Sequence, residues 1–204
     1  YDTVASTEGG YRSAYGIDRS QAHVGWQGRF EGWRGRVQAY RSEIDIVNSA
    51  SNGVTATRPQ NLLDEVIDGH ATVKLGGHQV TFGGEWRDET LTNAGLTTGR
   101  DSATHKALFV QDEVALGSSL MLTGGLRADN HELFGSEVSP RAYLVWEASP
   151  ALVVKGGFGH AFKAPTLKQI SPNYVGAEGP HTFKGNAHVK PESSNSFEIG
   201  ADSQ

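Results

Sequence analysis

Gln79-Val80-Thr81-Phe82-Gly83-Gly84-Glu85-Trp86-Arg87 decides the fold. Val80, Phe82, Gly84 and Trp86 take one set of alternate positions. Gln79, Thr81, Gly83, Glu85 and Arg87 take the other. A two-residue period with one apolar side marks a strand that is wet on one face only. The same split runs through Ala22 to Phe30, where Ala22, Val24, Trp26 and Phe30 oppose His23, Gln27 and Arg29. It recurs from Ile67 to Leu75, and Leu108 to Leu116, Leu120 to Asp129, Ala142 to Ala148 and Leu152 to Phe162 fit as well. Arg34 to Val47 is less clean, because Arg41 interrupts its apolar side. Helical spacing is nearly absent.

Length and connections narrow the class. Several runs reach about 10–14 residues, beyond the usual five or six of soluble sheets. Eleven residues tilted by about 45° climb roughly 26 Å, the height of the apolar band on an outer-membrane barrel. Tight turns at Glu31-Gly32-Trp33, Gly76-Gly77-His78, Gly117-Ser118-Ser119 and Ser149-Pro150 alternate with longer polar links. Those links run from Ser49 to Asn61, Thr92 to Thr104, His131 to Glu137 and Pro165 to Ser193. Alternating short and long connections predict an all-β, antiparallel up-and-down transmembrane barrel, here about nine strands of it. Short turns then face the periplasm and long loops face outward.

Composition agrees by exclusion. The chain has 204 residues, 26 of them glycine, no cysteine and a net charge of -5. Without cysteine there is no disulfide framework or thiol chemistry. A mildly acidic chain with dispersed charge is a poor nucleic-acid binder. No run approaches the 18 or so apolar residues of a membrane helix. Starting at Tyr1, with Met121 as the one methionine and no secretory leader at its start, the chain reads as a piece of something longer. Glycine also carries a weak repeat: Gly83-Gly84, Gly124-Gly125 and Gly156-Gly157 sit equally far from their preceding turns. They predict either a bend in the wall or a smooth inner belt against which something packs.

Catalytic chemistry finds little support. Histidines 23, 70, 78, 105, 131, 160, 181 and 188 lack the spacing of a metal site. Asp129, His131 and Glu132 read as a solvated rim. Gly95 to Arg100 lacks the Gly-Lys-Ser/Thr ending of a phosphate loop. Arg29, Lys74, Glu85, Arg87, Arg127, Asp129, Arg141, Glu147 and Lys155 fall on the polar face. Such charge suits a wet lumen in which opposite charges pair, and would be prohibitive in a dry core.

The runs SPRAYLVW (139–146), GHAFKAPTLKQISPNY (159–174), GNAHVKPES (185–193) and FEIG (197–200) resemble the barrel of TonB-dependent outer-membrane receptors. FGGEWR (82–87), FVQDE (109–113) and GLRAD (125–129) agree. The phrasing is closest to the catecholate-siderophore branch, which includes the colicin I receptor. The resemblance implies a barrel of about 22 strands in the outer membrane of a Gram-negative bacterium, plugged by an N-terminal domain. It implies uptake of a ferric siderophore, driven by the TonB complex through that plug, in contact with outer-membrane lipid and open to colicin or phage. It implies no cofactor, enzyme activity or nucleic acid. Plug, TonB box and terminal aromatic strand are expected outside this chain. A ferric catecholate is anionic and favours cationic and aromatic groups in outer loops, so Arg100, Lys163, Lys168, Tyr174, His181 and Lys184 are the ligand-binding candidates. Competing readings are a non-transporting surface protein or adhesin, a receptor for cobalamin or haem, and a soluble β-sandwich.

Overall fold

The computed structural model describes residues 2–8, 11–50, 59–178 and 181–203. One antiparallel sheet dominates, with strands in chain order: β1 (Asp2–Glu8), β2 (Tyr11–Phe30), β3 (Trp33–Ala50), β4 (Gln60–Leu75), β5 (His78–Asn93), β6 (Arg100–Ala115), β7 (Leu120–His131), β8 (Gly135–Ser149), β9 (Leu152–Lys163) and β12 (Glu192–Ser203). Between β9 and β12 lie a short helix, α1 (Leu167–Ile170), and a hairpin of β10 (Val175–Glu178) with β11 (His181–Lys184). Each main strand pairs with its neighbours in sequence, the last pair being β9 with β12. This is the expected up-and-down wall, with ten strands among the described residues where the sequence suggested about nine. β1 is the addition.

Register converts the alternation into two faces. Phe30 pairs with Trp33, Trp33 with Val73, and Val73 with Val80. One row higher, Ala71 pairs with Phe82, Phe82 with Val110, Val110 with Leu126, and Leu126 with Pro140. Phe30, Trp33, Phe82, Val110 and Leu126 in these rows are exposed, as are Leu108 and Val24 on the same face, each at 71 %. Uncovered aliphatic and aromatic groups in such number make sense against lipid. Aromatic rings gather at the short-turn end, where Phe30 stacks on Trp33 at 4.4 Å between centroids.

The turns descend in steps. β4 runs on from Val73, the partner of Trp33, to Leu75 before it turns. Val114 faces His78, yet the next turn closes at Leu116, whose N–H donates to the Leu120 carbonyl at 2.7 Å. Leu120 faces Trp146, and β8 continues to Ser149 through an irregularity between Glu147 and Ser149. Two residues per hairpin is one residue per strand. At about 3.3 Å rise and 4.8 Å spacing the strands tilt by about 35°, as barrel closure demands.

That tilt explains what the sequence reading shortened. An apolar band about 25 Å tall takes about nine residues of such a strand. Counting up from Leu75 reaches Ile67, and the next outward residue is Glu65, paired with Arg41 at 3.6 Å. On β5 the band ends at Trp86, and Asp88 follows. β2 to β6 have 16 to 20 residues, so each extends well beyond the lipid. The polar links at Thr92 to Thr104 and His131 to Glu137 are therefore mostly strand, closed by 94–99 and 132–134. The link from Ser49 to Asn61 lies largely outside the described residues.

Arg41 marks a change of phase and leaves β3 unbroken. Above it the outward positions are Glu43 and Asp45, while Ile44 and Ile46 point inward. Leu62 and Leu91 follow them onto the inner face. Apolar groups face out beside lipid and in above it. The long link from Pro165 to Ser193 is folded as well, and it packs on this inner face. Leu91, Leu96, Ala103, Leu167 and Tyr174 form a buried cluster there, with Leu62 and Ile170 against it.

The glycine pairs also resolve. Their inward members each face a bulky partner in register: Gly83 faces Phe109, Gly125 faces Arg141 and Gly157 faces Tyr143. A Cβ on Gly83 would stand 2.3 Å from the Gly69 carbonyl oxygen and 2.7 Å from Phe109. The inner belt is thus filled by the wall's own side chains. One row separates each pair from the next, the same stagger that lowers the turns.

Two outcomes test this arrangement in the full-length protein. Gly83→Ala overpacks the β4–β5 contact and should cost about 1–3 kcal/mol, whereas Gly124→Ala, with open space around it, should cost little. Val110→Arg puts a charge in the middle of the lipid band and should cost about 2–4 kcal/mol, against about 0–1 for Asp88→Arg at its rim. Denaturant titration in lipid vesicles measures both; equal costs within either pair would refute the assignment of faces.

Candidate functional site

The inner face above the lipid carries a charged network on four neighbouring strands. Arg87 on β5 donates to Asp64 on β4 at 2.9 Å and lies 3.6 Å from Glu89. Arg127 on β7 donates through Nε to Asp129 at 2.9 Å and lies 3.7 Å from Glu85. His105 on β6 is 2.9 Å from Asp129 and 3.7 Å from Glu85. Register forces these meetings, since Glu85 faces Ala107, Ala107 faces Asp129, and Arg87 faces His105. The pairing expected for the lumen charges is present at Arg87, Arg127, Glu85 and Asp129, and again where Lys155 meets Asp202 at 2.5 Å.

A cavity of about 470 Å³ opens over this network. Its floor includes Arg87, Arg127 and Asp129; its upper side is Phe162, Ala164, Pro165 and Thr166. His160 reaches in from β9, with Nδ1 2.9 Å from Asn195 and Nε2 3.4 Å from Glu137. The folded link above is pinned at several points. Tyr174 donates its hydroxyl hydrogen to Gln60 at 3.1 Å, Ser171 donates to Asp101, and Asn173 donates to Thr97. Asn186 N–H donates to the Gln169 carbonyl at 2.6 Å. Gly185 must be glycine, because a Cβ would stand 2.0 Å from the Ser171 carbonyl oxygen.

The residues picked from the sequence as ligand candidates fare unevenly. Arg100 sits on the outer face and donates to Thr90 at 3.1 Å, away from the cavity. Tyr174 is 1 % exposed with its hydroxyl engaged, and burial raises its pKa. It holds the link down and offers a ligand no surface. Lys163 ends β9 in register with Glu192, and Lys184 is exposed on β11. Lys168 on α1 is half-buried, and desolvation lowers its pKa. The His181 side chain lies outside the described residues. One link therefore carries Lys168 and Lys184, with Lys163 at the strand end that leads into it, while Arg100 stands apart.

The sequence reading missed the histidines. His105 and His131 are register partners with ring centroids 5.8 Å apart. Asp129 and His131 form no solvated rim, at 7 % and 6 % exposed. Strand register was the one signal that could have joined them. Among the described residues no group of His, Asp and Glu is set to hold a metal ion. The cavity thus sets the paired charges of Arg87, Arg127, His105 and Asp129 on one side against Phe162, Ala164, Pro165 and Thr166 on the other.

Comparison with known proteins gives concordant results. A family model described as TonB dependent receptor-like, β-barrel, matches residues 1–204. The iron-regulated outer membrane virulence protein of Vibrio cholerae is 33 % identical over 147 residues, 70 % of this chain and 22 % of that protein. The ferric enterobactin receptor PirA of Pseudomonas aeruginosa is 35 % identical over 115 residues, 47 % of this chain and 16 % of that one. The crystal structure of the siderophore receptor PirA from Pseudomonas aeruginosa superposes with a TM-score of 0.80 at 27 % identity, covering 95 % of this chain and 36 % of that chain. The chain thus spans roughly a fifth of the length of the curated relatives it matches.

His131 supplies a pH test above the lipid. Its Nδ1 accepts from the Leu133 N–H at 3.2 Å, which only an unprotonated nitrogen can do. Burial, then His105, lowers its pKa below the usual 6.5. A base with a depressed folded pKa binds protons more readily when its surroundings open, so the turn keeps its full stability above about pH 6.5 and loses it below. Protection of the Leu133 and Phe134 amides against hydrogen exchange, taken relative to the intrinsic rate at each pH, should fall between about pH 7 and pH 5.5, and His131→Gln should flatten that dependence. A protection factor unchanged by pH in the parent would refute the role of Nδ1.

Proposed function

The chain belongs to the TonB-dependent receptor β-barrel family, and from that membership we propose that it forms part of the wall of an outer-membrane importer of ferric siderophores. Its place is the outer membrane of a Gram-negative bacterium, and its family comprises receptors and transporters rather than enzymes. The relatives are several times longer, so the activity is that of a longer protein to which this wall contributes. In that protein, strands outside these 204 residues pair with the free edges of β1 and β12, because backbone groups left open in lipid cost several kcal/mol each. A plug fills the lumen and links it to the TonB complex.

The observation that carries the substrate class is the sequence shared with an iron-regulated outer-membrane protein over 70 % of the chain, and with a ferric enterobactin receptor over 47 %. The wall supports it physically. A link folded into the mouth suits capture of a bulky chelate from outside, where free diffusion through an open pore would be obstructed. Catecholate chemistry is the specific proposal; cobalamin and haem are the alternatives that the same wall would serve. A colicin or phage would meet the same outer links, and is proposed only as a competitor for them.

Growth decides the matter. A strain lacking the full-length gene should lose growth on ferric enterobactin as sole iron source. The complete gene should restore it in a TonB-competent background and fail in a TonB-deficient one. Undiminished growth of the deletion strain on ferric catecholates, with loss on haem or cobalamin instead, would move the substrate to that alternative.

A further inference from the structure

Among the described residues, His160 Nε2 is buried and has no hydrogen-bond partner. Its state follows from the other ring nitrogen. Nδ1 lies 2.9 Å from Oδ1 of Asn195, its register partner on β12, and an amide oxygen only accepts, so Nδ1 carries the hydrogen. In the neutral ring Nε2 therefore bears a lone pair. Its neighbour on β8 is Glu137 Oε1 at 3.4 Å, a second acceptor. Two acceptors thus meet with no hydrogen between them. The nitrogen is closed in by this chain's own atoms, so no segment from elsewhere supplies the missing donor. A buried polar atom left unmet calls for an explanation. A proton on Nε2 supplies one, because it turns the contact into a charge-assisted hydrogen bond.

The surroundings decide what such a proton does. The other charges lining the mouth cavity cancel: Arg87 and Arg127 stand against Glu89 and Asp129. His105 on β6 is held between Asp129 and Glu85, and His131 on β7 keeps Nδ1 on the Leu133 N–H. Arg141 on β8 lines a neighbouring cavity with His160, and Lys163 lies three residues along β9. Glu89 is the rival proton acceptor, since burial raises its pKa. We propose that the mouth cavity takes up a multiply charged anion together with one proton, which His160 Nε2 accepts from bulk water. The proton gives a balanced cavity a net positive charge, and the anion's field favours the proton in turn. Linkage makes the two effects equal, so the factor that protonation adds to anion affinity is the factor that the anion adds to proton affinity. Histidine ordinarily changes charge near neutral pH, where this coupling operates. It is a regulation of the site proposed above for the siderophore, and rests on that reading for the cavity's outward position but not for catecholate chemistry.

Calorimetry on the full-length receptor in detergent tests it with a naphthalene disulfonate, whose sulfonates stay ionised throughout. Affinity should rise about fivefold from about pH 7.5 to about pH 6. Heats compared in two buffers of different ionisation enthalpy should show a proton taken up with the anion. His160→Gln should abolish both effects. Glu137→Gln should weaken both, because its amide N–H can donate to Nε2 and satisfy the lone pair without a proton. His188→Gln, on the exposed end of the link, should leave both unchanged. Heat-modifiable gel mobility confirms that each variant retains its barrel. Absence of binding, affinity indifferent to pH, or binding without proton uptake overturns the proposal. Coupling that persists in His160→Gln overturns it too and moves the proton to Glu89 or His131, and full coupling in Glu137→Gln removes its geometric basis. No readout involves iron or uptake, so a receptor that keeps this coupling yet fails on ferric enterobactin would refute the siderophore assignment alone.

Discussion

Everything in this wall follows from the need to pair backbone N–H and C=O groups where no water is available. A sheet meets that need only if each strand finds neighbours along its whole length in lipid. Chain-order pairing from β1 to β9, then β12, does so with the shortest possible connections. Once pairing is continuous, register fixes which residues share a row, and alternation fixes which face they occupy. The stagger of one residue per strand then sets the tilt. No side chain has to choose its environment separately.

Register explains why charged groups meet that are far apart in sequence. Glu85, His105, Arg127 and Asp129 lie within three strands and form one network because their rows coincide or adjoin. It also explains the glycine pairs. A bulky inward residue and a glycine in register fill one another's space, as Tyr143 does over Gly157. A smooth belt for an outside partner would need that space empty.

The period of two, the tight turns and the lipid face were legible from sequence, because they depend on neighbours along one strand. The change of phase at Arg41 was legible too, in Glu43-Ile44-Asp45-Ile46, but it looks like noise until the lipid edge is placed. The fate of single loop residues was hidden. Tyr174 reads as an exposed aromatic, yet it is buried because the link folds back to Gln60, a contact spanning 114 residues. Arg100 reads as a loop cation, yet β6 already includes it, and parity turns it outward. Charge and aromaticity select candidates; long-range register decides which of them share a surface.

Height along the wall separates two uses of charge. In the upper part, cations and carboxylates neutralise one another on the wall itself, which lets strands stand in a narrow wet space without mutual repulsion. That surface offers hydrogen-bonding groups and little net field, whereas the folded link carries Lys168 and Lys184, with Lys163 at the end of β9 beside it. Lys168 is the informative member of that set. Its depressed pKa comes from burial alone, and no described carboxylate pairs with it, so an anion brought beside it would regain the interaction that burial removed. At the short-turn end of β2, β3 and β4 the inward Arg29, Arg34 and Lys74 have no carboxylate partner among the described residues. Near the same end Lys155 meets Asp202 on β12, so the unpaired inward cations belong to β2, β3 and β4 and not to the whole lower wall.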